Sequence, residues 1–399
     1  MKANHPKRIL FALLSALMLI WFSNCGGSSL IAGGGIGGTG FISRGIIAAF
    51  GSIFVNGTEF DTTNAVIIVE GEEKGVGDHI AMEYLDVGRV VTIEGTVSND
   101  GNTATADRVI YNDEVEGPVE SIQDIDTTAK EIVVLGQAVV VDLDTEFKGT
   151  AFDAIEVNDV VEVSGLIDDT GAIRATFLEK TGEFLPGLQV ELKGFVENLD
   201  TQLETFQIND LSINYSLADT TGLPGGVPAN GLFVEVEGRL DDAGGEMVAT
   251  EIELEDELGS EDADEIEVVG IVTDFVSVFE FSVGYQVVET DVDTVFVAGK
   301  PEDVAPGVRL EAEGSLVGGI LYAVEIEFWH PDRIEVEGVV TDFVSVFEFT
   351  VGNQAVATNE DTVFDDMMPE DIELGVNLEV EGIVTDGVLL ADKIGPGDG

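Results

Sequence analysis

The chain has 399 residues, 44% of them hydrophobic, with 78 Asp and Glu against 17 Lys and Arg and a formal charge of −61. So much apolar content excludes a disordered acidic tail, and the charge excludes nucleic acid as a partner, because phosphate binding is carried by Lys and Arg. A single cysteine excludes intrachain disulfides and cysteine-rich metal sites.

Lys2, Lys7 and Arg8 precede an apolar run at residues 9–22. Fourteen residues are too few to span a bilayer core and match the hydrophobic region of a signal peptide, so residues 1–24 are predicted to be a leader removed on export. Cys25 follows in Phe22-Ser23-Asn24-Cys25-Gly26, which resembles the lipobox of bacterial lipoproteins. That resemblance implies that Cys25 is lipidated and becomes the first mature residue, anchoring the protein to a membrane. Gly26 in place of Asp then favours the outer membrane if the cell is Gram-negative. The alternative is an ordinary cleaved leader with a spare thiol. Losing three bases and no acid takes the formal charge from −61 to −64. Residues 26–40 are rich in glycine and include Gly35-x-Gly37-x-x-Gly40, but no strand precedes them as a dinucleotide fingerprint requires. They read as a flexible tether (25–44 with Cys25) spanning about 20 Å.

Beyond the tether the chain is repetitive. Residues 273–281 and 341–349 both read TDFVSVFEF, and 19 of 26 positions are identical between 271–296 and 339–364. An alternating apolar stretch broken by glycine recurs at Gly45, Gly117, Gly194, Gly270 and Gly338, and a second at Gly95, Gly165, Gly238, Gly314 and Gly382. Five units of about 70 residues follow, at 45–115, 116–184, 190–257, 264–332 and 333–399. In each, three strands, a short helical turn such as Pro369-Glu370-Asp371, and two further strands are predicted, with hairpin turns at Asn56-Gly57, Gly136-Gln137, Asn209-Asp210, Gly284-Tyr285 and Gly352-Asn353.

That order is the order of an OB-like β-barrel, and the glycine in the first strand suits the bulge such a strand needs. A five-stranded sandwich is the rival. Alternation assigns Phe347, Phe349 and Val351 to one core face. Short linkers predict a string of beads, each closing its own core.

The segment 51–57 (GSIFVNG) with Phe60-Asp61-Thr62, the glycine-rich leader and the GPV and VSG strands resemble bacterial lipoproteins with repeats of the domain of unknown function numbered 5666. The resemblance covers nearly the whole mature chain. It implies an exported, all-β, OB-like tandem array, and it carries over no catalytic or binding residue.

Chemistry is sparse. His79 and His330 are the mature histidines and neither stands beside a nucleophile in sequence, so no enzyme is expected, and no catalytic, cofactor or metal residue is assigned. Calcium is the ligand that composition favours, through turn acids Asp168, Asp169, Asp241, Asp242, Asp291 and Asp293, although no EF-hand spacing is present and such acids also serve as turn formers. The expected role is that of a lipid-anchored envelope protein of tandem acidic modules, structural or interactive, with cation or cationic-partner binding as the alternative.

Overall fold

The computed structural model describes residues 41–397 apart from 51, 98–103, 241–244, 256–257, 259–262, 331–332, 366 and 386. Cys25, the leader, the tether up to residue 40, and Asp241 and Asp242 lie outside the described residues.

The fifth barrel shows the plan. Its first strand, Arg333–Ser345, pairs antiparallel with Glu348–Val351, which pairs antiparallel with Gln354–Ala357. The third strand lies parallel to the last, Val388–Pro396, which is antiparallel to the fourth, Asn377–Thr385, and the fourth returns to the first. The ring 1-2-3-5-4-1 is closed. A parallel contact between strands 3 and 5 needs a crossover, supplied here by a 3-10 turn, Pro369–Asp371, and strand 4. The other four units close in the same circuit, and each is an OB-like barrel rather than an open sandwich. In the first unit the crossover is longer, with an extra strand Glu72–Val76 and a helix Asp78–Tyr84.

Two sequence features acquire a physical cause. The Asp-Thr motif breaks the third strand and splices it back: Thr145, Thr294 and Thr362 each donate to a fifth-strand carbonyl, at 2.9, 2.9 and 2.8 Å. The preceding Asp142, Asp291 or Asn359 turns the chain by accepting a backbone N–H two residues on. The fourth-strand glycines (Gly95, Gly165, Gly238, Gly314, Gly382) each sit at a register shift against strand 5. A Cβ there would lie 2.0–2.6 Å from a backbone oxygen of that strand. The first strand carries a register shift of its own, starting two residues past its glycine at Ile47, Val119, Val272 and Val340, so each of these four barrels has a bulge in both strands. In four units the first-strand glycine makes room for a side chain at the hairpin between strands 2 and 3: Asn56 over Gly45, Leu135 over Gly117, Ile208 over Gly194 and Val283 over Gly270.

Three expectations are corrected. Phe347 is 63% exposed while Phe349 and Val351 are buried. Ser345 pairs with Glu348, so Val346 and Phe347 form the turn itself and the alternation does not run through them. In the second unit the hairpin turn is Leu135-Gly136, both at positive φ, one residue earlier than expected.

The third correction concerns the bead string. In an OB ring the first strand is long: its first half pairs with strand 4 and its second half with strand 2, so the first half keeps one open edge. Two pairs of barrels mate through that edge. In the first unit Phe41–Phe50 joins the fourth unit's Ala263–Ser277 in parallel, Phe41 to Arg44 against Glu265 to Val268. In the second unit Val115–Asp124 joins the third unit's Leu188–Phe195 antiparallel at Val115 and Glu116. Two 13-stranded sheets result, and the fifth barrel keeps a sheet of its own. The cores of the second and third units are continuous, the fourth takes in Ile42 from the first unit's first strand, and the first and fifth keep their own. A smaller apolar contact of Val90, Leu166, Val269 and Ile271 lies where the first, second and fourth units meet.

Candidate functional site

The outward-facing acids of strands 1 and 4 are read from sequence as solvated. Mating of the barrels buries many of them. In the fused sheet of the second and third units, Glu179, Glu162, Glu116, Glu191, Glu237 and Glu251 are cross-strand neighbours in one row over six strands. Like charges directly opposite one another repel, and burial raises the cost, so such a row needs cations or protons.

Arg89 supplies part of the charge. It is 4% exposed, stacked between the Tyr111 and Phe177 rings at 4.3 and 4.4 Å, and it ion-pairs with Glu162 and, at 3.1 Å, with Glu179. Tyr111 donates to the same Glu162 Oε1 at 2.8 Å. Burial pulls against the charged guanidinium, but Tyr111 and Glu162 more than offset it and hold Arg89 protonated. Lys193, also buried, lies 4.0 Å from Glu235 and 3.8 Å from Glu255. Scarce bases are spent at the joints elsewhere as well: Arg44 on Glu114 of the segment joining the first two barrels, and between barrels Lys148 on Asp86, Lys300 on Asp361, Arg333 on Glu327 and Lys393 on Glu325.

Among the described residues, two groups of close carboxylates lie at the joints of the first three units. Glu70 projects from a two-residue turn, Glu70-Gly71, with both residues at positive φ. Asp113 is in the segment joining the first two barrels, Glu162 is on the fourth strand of the second, Asp159–Ile167, and Glu191 is on the first strand of the third. Carboxylate oxygens of Glu70, Asp113 and Glu162 lie within 4.8 Å of one another, as do those of Glu191, Glu235 and Glu237. The Asp113 backbone N–H donates to Glu70 Oε1 at 3.0 Å, but Asp113 Oδ1 is buried with no hydrogen-bond partner. Burial, then Glu70 and Glu191, push the Asp113 carboxyl well above the usual range. Burial, then Glu70 and Glu235, push Glu191 up to about 10.

A further buried carboxyl group lies at the joint of the first and fourth units. Ser43 donates to Glu267 at 3.2 Å and Asn56 donates to Ser43 at 3.1 Å. Burial raises Glu267 to about 7, and burial together with Glu267 raises Glu311 further.

The turn acids named from sequence are engaged locally. Asp168 accepts from Thr170, Ala172 and Arg174, and Asp291 accepts from the Asp293 backbone. Asp169 is exposed. His79 and His330 are exposed, His79 beside Glu83 at 3.8 Å. The residues that sequence reasoning missed carried a signal in repeat phase. Glu114, Glu191, Glu267 and Glu335 all stand three residues before the first-strand glycine, and Glu162, Glu235, Glu311 and Glu379 three before the fourth-strand glycine.

No curated protein matches the sequence. The family model described as Domain of unknown function (DUF5666) matches residues 39–109, 116–179, 193–253, 269–327 and 337–395, one segment for each barrel. The chain belongs to the DUF5666 family, as five tandem copies of that domain.

Proposed function

We propose that this is an exported, lipid-anchored cell-envelope protein of the outer membrane whose mated acidic barrels serve an interaction role rather than catalysis. The observation that carries the interaction role is the open edge of the fifth barrel. Four barrels cover the first half of strand 1 with another barrel's first strand, and among the described residues that half in the fifth, Arg333 to Val339, pairs only with its own fourth strand. Ile334 and Val339 on it are 43% and 46% exposed, whereas Phe41, Val190 and Ile266, in the phase of Ile334, are buried. An exposed edge is a template for another strand, and the partner it fits is a further barrel of this kind, a second copy of the chain being the simplest.

The anchor is supported by the leader and the Cys25 context. It is tested by mass spectrometry of the mature N-terminus and detergent-phase partitioning, where an acylated Cys25 is expected and an unmodified thiol would remove it. The edge is tested by light scattering of the delipidated chain over a concentration series. Self-association abolished by Ile334→Lys and Val339→Lys together supports it, and a strict monomer, or association indifferent to both changes, rejects it. A second reading, cation binding, is favoured by the buried carboxylates around Asp113.

A further inference from the structure

We propose that Glu70, Asp113 and Glu162 form a binding site for a divalent cation of the calcium class, which ties the first barrel, the linker after it and the second barrel together. The proposal rests on the cation-binding reading and gives it a place. Three observations carry it. First, the carboxylate oxygens lie within 4.8 Å of one another. Oxygens sharing one calcium ion at 2.3–2.6 Å are up to about 5 Å apart, so the three carboxylates are close enough to share such an ion. Second, the donors are all carboxylate oxygen with no imidazole or thiolate among them, which selects a hard cation. Third, Asp113 is 2% exposed and its Oδ1 has no donor. Buried polar atoms are nearly always partnered, so an orphaned oxygen on a buried member of a carboxylate cluster points to a cation.

The neighbouring bases do not serve that atom. Arg89 pairs with Glu162, Glu179 and Asp86, and Lys193 lies near Glu235 and Glu255 and also acts on Glu70 and Glu191, yet Asp113 Oδ1 keeps no hydrogen-bond partner. Glu191 lies beside Glu70 across the joint with the third barrel, close enough to extend the site.

The test uses the full mature chain, stripped with a chelator, with terbium as a luminescent stand-in for calcium. Tyr111, whose hydroxyl is 2.8 Å from Glu162, is placed to sensitise the ion. Tyrosine-excited emission that calcium displaces is expected, together with a rise in melting temperature on adding calcium. Asp113→Asn and Glu70→Gln should each weaken terbium and calcium binding about tenfold or more, since affinity follows ligand charge. Asp126→Asn, in an exposed turn of the second barrel, should leave both unchanged. Each variant is checked for native circular dichroism; Glu70 stands on a two-residue turn outside the strands and is half-buried, so its variant stands in if Asp113→Asn does not fold. A calcium response that survives both site variants overturns this site and leaves cation binding standing elsewhere. The absence of any calcium response in the wild-type chain overturns both.

Discussion

Gly382→Ala should damage the fifth barrel more than any other glycine-to-alanine change within it, and the reason lies in where the added methyl goes. An ideal Cβ at residue 382 lies 2.0 Å from the Leu390 carbonyl oxygen and 2.9 Å from the Ala391 Cα. Both are backbone atoms of the paired strand, so no side-chain rotation relieves the clash. Ordinary contact requires the strands to part by roughly 1.5 Å. Parting costs about two ladder hydrogen bonds at about 1 kcal/mol each, and it loosens Val380 and Ala391, both buried, by a further 1–2 kcal/mol, approximately. The expected loss is therefore about 3–4 kcal/mol. Two controls in the same barrel bracket it. Gly352 has φ +59 and nothing within 4 Å, so alanine there meets only the left-handed penalty of about 1 kcal/mol. At Gly338 a Cβ would touch Val351 at an ordinary 3.4 Å, so the change should stay within about 0.5 kcal/mol. Hydrogen–deuterium exchange of peptides covering 377–396 in the intact chain reads the local opening free energy directly. If Gly382→Ala exchanges no faster than Gly338→Ala, the close approach inferred at the bulge does not exist.

Phe349→Asp should unfold the fifth barrel and spare the others, because it places a charge at a site 2% exposed in a core of its own, while Phe347→Asp, at 63% exposure, should change stability by less than about 0.5 kcal/mol; exchange mapping distinguishes the two. Arg89→Met removes the cation from Glu162 and Glu179 and should cost about 3–5 kcal/mol, seen as a lower denaturation midpoint and faster proteolysis between the first two barrels. Glu267 has its pKa raised by burial to about 7, above its unfolded value, so the folded chain holds the extra proton. Its contribution is then fully present below about pH 4.5 and is lost as pH rises to about 7. Glu267→Gln should flatten the fall in melting temperature between pH 5 and 8, measured in chelator; an unchanged slope would assign the effect to other carboxyls.

The barrel was legible because its devices are local. Gly352-Asn353 marks a hairpin, Pro369-Glu370-Asp371 marks the crossover, and Asp361-Thr362 marks the break in strand 3, each readable within a few residues. What failed locally was phase: counting alternation through Val346 and Phe347 placed a turn residue in the core. The two families of glycines looked alike in sequence, yet one accommodates a side chain and the other a backbone, and only strand pairing separates them.

The carboxylate site was illegible for a different reason. A lone barrel with glutamates on its outside is a soluble protein, and alternation alone describes nothing more. Whether that outside meets water depends on the open half of the first strand, whose partner lies about 75 residues away for the second and third barrels and over 200 for the first and fourth. Acids that are harmless on a solvated face become opposed when two such faces close. The chain meets this by placing Arg44, Arg89, Lys148, Lys300, Arg333 and Lys393 at the joints. With 78 acids and 17 bases the sequence cannot neutralise every joint in this way. Where bases run short, burial favours a retained proton at Asp113 as at Glu267, and the cation proposed at Asp113 would compete with it, so the two means differ in their response. A cation makes the joint sensitive to chelation, and a proton makes it sensitive to pH. The same acidic composition can thus make both joints of a mated array sensitive to pH, and the proposed cation would add sensitivity to chelation at the first.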